Sequence, residues 1–175
     1  MQKSVKPVLT IATILLSIVI GILIKHAFIT IAIVPSSSME DTLNINDYII
    51  GLNYKVFKND IQRGDIVLFK ESNINHETYV KRVIGLPGDN IVIKKDKIFI
   101  NGKEYHENYT KGNWSNWANG YVTSYFVPNN SYFLLGDNRE ISEDSRYFGY
   151  IQNTDIYAKA IIKIDIKKLS IVRLI

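Results

Sequence analysis

The chain has no cysteine. That removes both a disulfide framework and a thiolate metal site, and it leaves the redox compartment open. Histidine is scarce, and His26, His76 and His106 stand apart in the sequence with no H-E-x-x-H pattern around them. Neither a zinc-hydrolase helix nor an acidic–histidine cluster is present, so the sequence points to no metal and no cofactor. A G-x-S-x-G elbow is also missing, which disfavours a serine–histidine–aspartate arrangement of that type. The net charge of +4, with 22% charged residues, is too mild and too evenly spread for a nucleic-acid footprint. Basic pairs such as Lys94-Lys95 and Lys167-Lys168 read as solvated strand faces. No internal repeat or low-complexity tract appears.

One long apolar run stands out. Val8 to Ile24 carries seventeen residues without a charge and follows Lys3 and Lys6. With Lys6 and Pro7 it would span about 28 Å as a helix, close to the roughly 30 Å thickness of a bilayer core. Ile22-Leu23-Ile24-Lys25-His26 offers no small-residue cleavage site, so a permanent anchor is expected rather than a removed leader. Lys3, Lys6 and the amino terminus outweigh Lys25, which places the start in the cytoplasm and the rest outside. Residues 1–6 are thus expected to be cytoplasmic, 7–25 transmembrane and 26–175 extracytoplasmic. Thr13, Ser17 and Gly21 share one helical face, as small residues do where membrane helices pack, so weak self-association is an expectation.

Beyond Lys25-His26 the periodicity changes. Ala27 to Val34 is apolar and rich in β-branched residues, and Pro35 halts any helix. Short apolar runs then alternate with turn signals, the pattern of an all-β domain. Tyr48–Gly51, Asp65–Lys70 and Val80–Ile84 read as strands. Ile91–Lys94 and Lys97–Ile100 read as a hairpin, and Asn101-Gly102 as a two-residue turn with both residues left-handed. Ile162, Ile164 and Ile166 alternate with Lys163, Asp165 and Lys167, which predicts a strand turning its isoleucines to the core. Residues 104–130 break the rhythm and read as an insertion or small β-lobe. Trp114 and Trp117 in it suit either a bilayer interface or aromatic packing under a loop.

The candidate chemistry lies in two segments. Ser38 falls in V-P-S-S-S-M-E, and Lys81 follows 43 residues later in Y-V-K-R-V-I-G-L-P-G-D. A hydroxyl becomes a useful nucleophile only when a base takes its proton, and a lysine is such a base only when its charged form is disfavoured. Tyr79, Val80 and Val83 around Lys81 are surroundings able to strip water from an amine and lower its pKa. Read singly, Ser36-Ser37-Ser38 would suit an ordinary polar turn and Lys81-Arg82 a solvated strand end.

These blocks, together with R-G-D-I-V-L-F at Arg63–Phe69 and L-G-D-N-R-E-I-S-E-D-S-R at Leu135–Arg146, occur in an order that resembles the bacterial type I signal peptidases. The resemblance covers most of residues 31–150. It implies a signal-peptidase-like fold of coiled antiparallel sheets on one N-terminal transmembrane helix in the bacterial plasma membrane. It also implies cleavage of signal peptides from exported preproteins by a serine–lysine dyad. By that likeness Ser38 matches the nucleophile and Lys81 the general base. Ser36 matches an oxyanion-hole donor, Ser142 the serine that hydrogen-bonds the lysine, and Asp144 with Arg146 a supporting ion pair. Val34, Met39, Leu43, Tyr79 and Val80 match positions lining pockets for small substrate residues, and the implied partners are signal peptides and the lipid bilayer.

One departure is visible. The family usually has proline two places after the methionine, where this chain has Asp41 in Ser38-Met39-Glu40-Asp41. A carboxylate there that approached Lys81 would raise its pKa, so an alkaline optimum is expected, moving downward in Asp41→Pro. Two other functions compete. A self-cleaving LexA-type regulator needs a DNA-binding domain where the anchor lies. A non-catalytic, membrane-tethered β-module would not require both Ser38 and Lys81.

Overall fold

A computed structural model describes residues 6–54, 56, 61–70, 77–112 and 122–174. Trp114, Trp117 and His76 lie outside the described residues. The chain is built from antiparallel strands in two sheets, with one long N-terminal helix, α1, over Lys6–Phe28. Pro7 fits the first helical turn, where a missing N–H costs nothing. Leu9–Phe28 is long and apolar enough to cross a membrane, and none of it is buried. The helix runs past Lys25 and His26, whose positions in the last turn complement the negative end of the dipole. Asn53 closes it: its amide donates to the carbonyls of His26 (3.2 Å) and Ala27 (3.1 Å). The expected break after His26 therefore falls two residues later.

The strands are β1 (Ile29–Ile33), β2 (Tyr48–Asn53), β3 (Ile66–Lys70), β4 (Thr78–Gly85), β5 (Asn90–Lys94), β6 (Lys97–Ile100), β7 (Lys103–Tyr105), β8 (Val122–Phe126), β9 (Ser131–Leu135), β10 (Ile151–Gln152), β11 (Ile156–Asp165) and β12 (Ser170–Arg173). The larger sheet runs β1-β2-β11-β3-β4-β9-β10, with β12 added beside β11, and the smaller runs β7-β6-β5-β8. Beyond α1, the described residues hold only short helical turns, at Ser37–Met39 and Ser145–Phe148 (α2).

The predicted hairpin is β5–β6, and Asn101 (φ 51°) and Gly102 (φ 81°) are both left-handed in the turn to β7. The small sheet begins earlier than the expected lobe, at Asn90, because β8 returns to pair with β5. Its isoleucines, Ile91, Ile93, Ile98 and Ile100, pack with Ile84, Phe133 and Leu135 of the larger sheet. In the middle of the larger sheet β3 buries both faces. Ile66 and Leu68 join Val34, Met39, Leu43 and Val80 on one side. Val67 and Phe69 join Val83 and Leu134 on the other. Such a strand reads as a continuous apolar run.

The reading of β11 is corrected by the structure. Its register shifts between Ala160 and Ile162, a bulge that reverses which residues face the core. Lys163 and Asp165 turn inward and are buried, while Ile162 and Ile164 are only half-buried and Ile166 lies past the strand end. The Lys163 ammonium is accommodated by donating to the Thr42 carbonyl at 2.8 Å and by lying 3.8 Å from the Asp47 carboxylate. Directly paired residues share a face. Ile31, Ile50 and Ile162 therefore line up across β1, β2 and β11, and Ile33, Tyr48, Ile164 and Ile171 extend the row to β12. That face is apolar and open: Ile31 and Ile33 are each 51% exposed. It adjoins α1, since β1 follows the helix without a linker.

Candidate active site

Val34 ends the β1 segment, its N–H donating to Asp47 (2.9 Å) and its carbonyl accepting from Asn46 (3.1 Å). Pro35 and an extended Ser36 (φ −141°, ψ 167°) then lead into the turn that carries Ser38. Pro35 in turn restricts its predecessor, Val34, to extended backbone. Lys81 lies inside β4, paired with Val67 of β3. The two segments converge: Lys81 Nζ donates to Ser38 Oγ at 2.6 Å, and the Ser36 hydroxyl donates to the same oxygen at 3.3 Å. Ser38 and Lys81 are both buried, Lys81 to 3% exposure, so neither is part of a solvated turn or strand end.

Burial pulls the Lys81 amine down from its ordinary 10.5 to about 8; Asp144, Glu143 and Asp137 oppose that fall and Arg146 assists it. Glu40 and Asp41 are not among the leading influences on it. Their carboxylates face Lys111 instead, at 3.4 Å and 3.2 Å. The expected approach of an acid at that turn to Lys81 is therefore corrected. The carboxylates with the largest influence on Lys81 belong to the 137–144 segment.

That segment forms the wall behind the pair. Asp144 and Arg146 make a buried two-pronged ion pair, Nε–Oδ1 at 2.7 Å and a second nitrogen to Oδ2 at 2.8 Å. Asp144 also accepts from the Gly136 N–H at 3.0 Å, and Arg146 donates to the carbonyls of Arg139 (2.9 Å) and Ser142 (3.2 Å). These bonds fix the loop between β9 and α2. Ser142 is buried within it, and its hydroxyl has no hydrogen-bond partner among the described residues. The bond that family likeness implies between Ser142 and Lys81 is thus not formed here, where Lys81 Nζ donates to Ser38 Oγ.

Sequence reasoning passed over several supports. Arg82, next to Lys81, is buried and clasps Asp137 through Nε–Oδ1 (2.8 Å) and a second nitrogen to Oδ2 (2.6 Å). Thr42 donates to the same carboxylate at 2.6 Å. Asn138 holds the Ser38 turn directly: its N–H donates to the Ser38 carbonyl (3.0 Å) and its amide to that of Ser37 (3.3 Å). Lys111 pairs through its backbone with Asp137 and Arg139 (2.8 Å each). Gly136 has no space for a side chain, since an added Cβ would meet Ser142 and lie 2.6 Å from the Ser38 carbonyl oxygen. The cue was the Gly-Asp-Asn-Arg run itself, a turn-like string set between apolar β9 and a second serine.

In front of the pair lies a groove of about 250 Å³, lined by Val34, Pro35, Ser36, Met39, Tyr79 and Val80 together with Ser38 and Lys81. Tyr79 is held flat against Phe69 (centroids 5.5 Å apart, 22° between planes). Leu43 is not among the lining residues; it is fully buried behind Val34 and Met39. The strand pairing explains the opening. β4 pairs with β3 from Thr78 to Arg82, but β9 covers its other edge only from Arg82 onward. The far edge of Thr78–Lys81 is thus open, and β1, an outer strand of the same sheet, leads into the opposite wall.

A buried amine of lowered pKa touching a buried hydroxyl at the end of a strand-shaped groove is an arrangement suited to serine hydrolase chemistry, here on an apolar N-terminal helix. The chain belongs to the signal peptidase, peptidase S26, family, whose pattern matches residues 8–164. It is 34% identical over 157 residues to a probable signal peptidase I-2 of Synechocystis sp., covering 86% of this chain and 70% of that one. It is 38% identical over 139 residues to a signal peptidase I of Bacillus amyloliquefaciens, covering 76% and 74%. A crystal structure of a signal peptidase I from Enterococcus faecalis V583 aligns at 35% identity with a TM-score of 0.43, over 55% of this chain and 92% of that one.

Proposed function

We propose that the chain is a membrane-anchored serine endopeptidase that removes signal peptides from preproteins, with Ser38 as nucleophile and Lys81 as general base. The observation carrying the roles is the 2.6 Å contact between a buried amine lowered to about 8 and a buried hydroxyl. In its neutral form Lys81 takes the Ser38 proton as Oγ attacks the carbonyl carbon of the scissile bond. The tetrahedral oxyanion is met by the Ser38 N–H and, after it turns from Ser38 Oγ, the Ser36 hydroxyl. Lys81 then returns the proton to the leaving amine, leaving an ester on Ser38. A water gives up a proton to Lys81 and hydrolyses that ester, restoring hydroxyl and amine.

The open edge of Thr78–Lys81 supports binding of the substrate as an added strand, its alternate side chains entering shallow pockets against Val34, Tyr79 and Val80. Met39 forms the pocket floor, and Leu43 supports it from behind. A signal peptide ends in small residues after an apolar segment, which suits such pockets. The anchor holds enzyme and substrate in one bilayer and raises the effective concentration of each. The open isoleucine face of β1, β2, β11 and β12 fits a lipid surface beside α1. The lysine bias supports a catalytic body outside the cytoplasm. Thr13 and Ser17 spend their hydroxyls on carbonyls of their own helix, at 2.8 Å each, so self-association along their face would rest on close packing at Gly21.

The test is incubation of the detergent-solubilised chain with a preprotein, followed by sequencing of the new N-terminus. Cleavage after a small residue is expected, abolished in Ser38→Ala and Lys81→Ala. Loss of one oxyanion donor in Ser36→Ala should lower turnover about 10²–10³-fold. Full activity of Ser38→Ala would overturn the assignment.

A further inference from the structure

The groove is not uniform along its length. Ser38 and Lys81 occupy one end, and Glu77 with Thr78 the other. Apart from Lys81, Glu77 is the only charged side chain among the described lining residues. It is exposed, precedes β4 directly, and enters no ion pair among the described residues. Thr78 beside it is fixed, pairing with Lys70 and accepting from the Tyr157 hydroxyl at 3.2 Å, so the backbone that presents Glu77 is held by the sheet.

The register gives the reach. Lys81 and Glu77 are four residues apart on one extended segment, about 13 Å at ~3.3 Å per residue. A substrate strand added along Thr78–Lys81, with its scissile carbonyl at Ser38, spans the same distance in four residues. Its small side chains next to the cut fill the pockets at Val34, Tyr79 and Val80. The residue four or five places upstream then lies against the Glu77 carboxylate.

We propose that Glu77 is a specificity-determining residue that reads charge four to five positions before the cleavage point, favouring basic over acidic substrate residues. This rests on the reading of the groove given above. The interaction is rim-exposed, so its size is that of a surface charge pair and it weakens with salt. It is made equally in ground and transition states and therefore sits in KM rather than kcat.

The experiment uses the full-length chain in detergent and three preproteins differing only by Lys, Gln or Glu at the fourth and fifth positions before the cut. At low salt, kcat/KM should fall in the order Lys, Gln, Glu, by about two- to fivefold per step. The order should flatten in Glu77→Gln, reverse in Glu77→Lys, and compress at high salt for the unmodified enzyme. Cleavage of all three at one rate, or one order shared by the unmodified enzyme and Glu77→Lys, overturns the role of Glu77 while leaving the peptidase reading intact. Cleavage of none of them overturns both.

Discussion

Asp41 adopts a left-handed backbone (φ 77°), and its carboxylate lies 3.2 Å from the Lys111 ammonium. The turn after Ser38 is therefore held from outside by a lysine on the neighbouring chain segment. A proline at 41 would need φ near −65° and cannot occupy the observed turn. Asp41→Pro is expected to lower both the melting temperature and preprotein cleavage, with no downward shift of the pH optimum. Asp41→Gly, free to keep φ positive, should retain most of the activity. Thermal denaturation alongside cleavage assays separates these outcomes; a more active Asp41→Pro enzyme would contradict the assignment.

The Lys81 amine sets the pH response. In the proposed role of base it must be neutral, and burial lowers its pKa to about 8, so kcat/KM should rise with pH up to about 8 and level above it. The same burial weakens the fold. With the folded pKa below the unfolded 10.5, the folded state disfavours the proton, a cost fully present below about pH 8. That cost disappears as pH rises from about 8 to 10.5. Holding the charged amine there costs on the order of 3 kcal/mol at neutral pH. Lys81→Met should thus be inactive yet more stable at pH 7, by about 1–3 kcal/mol after loss of the Ser38 contact. The gain should shrink by pH 10. Denaturant titrations at the two pH values check it.

Ser142 is buried with an unpartnered hydroxyl. An unmade hydrogen bond on a buried group is a penalty, so Ser142→Ala should leave stability unchanged or raise it by up to about 1 kcal/mol. If that hydroxyl meets Lys81 during turnover, kcat falls roughly ten- to a hundredfold in the same variant. The combination of unimpaired melting and impaired kcat identifies a positioning residue; impaired melting with normal kcat would identify a packing residue.

How much of this was legible in the sequence differs from element to element. β5 and β6 were legible because alternating isoleucines and a charged turn specify a hairpin locally. Ser38 and Lys81 were legible as candidates because each sits in a distinctive string. The inversion of Lys163 was not: a bulge is one extra residue, and period-two counting through Ala160–Ile162 sees an unbroken strand. The attachment of Glu40 and Asp41 to Lys111 was also hidden, because the partner lies about 70 residues away along the chain. Arg82 read as a solvated neighbour of Lys81, since its partner Asp137 is brought close only by the β4–β9 pairing.

Gly136 is tightly confined in the wall behind Ser38 and Lys81. Its N–H is held by Asp144, its carbonyl accepts from Arg139 at 2.9 Å, and a Cβ at this position would strike Ser142 and the Ser38 carbonyl. The Ser142 Cβ and the Ser38 backbone carbonyl are not free side-chain ends that can swing aside, so Gly136→Ala should displace the Ser38 turn from Lys81. A shift of about 1 Å at a reacting group can cost on the order of 10²-fold in rate. Overpacking adds roughly 1–3 kcal/mol of destabilisation. The variant should therefore retain its fold with a lowered melting temperature and lose at least a hundredfold in kcat, while signal-peptide binding, measured in a Ser38→Ala background, changes far less. Normal turnover in Gly136→Ala would mean that the Ser38 carbonyl and Ser142 do not need the spacing seen here.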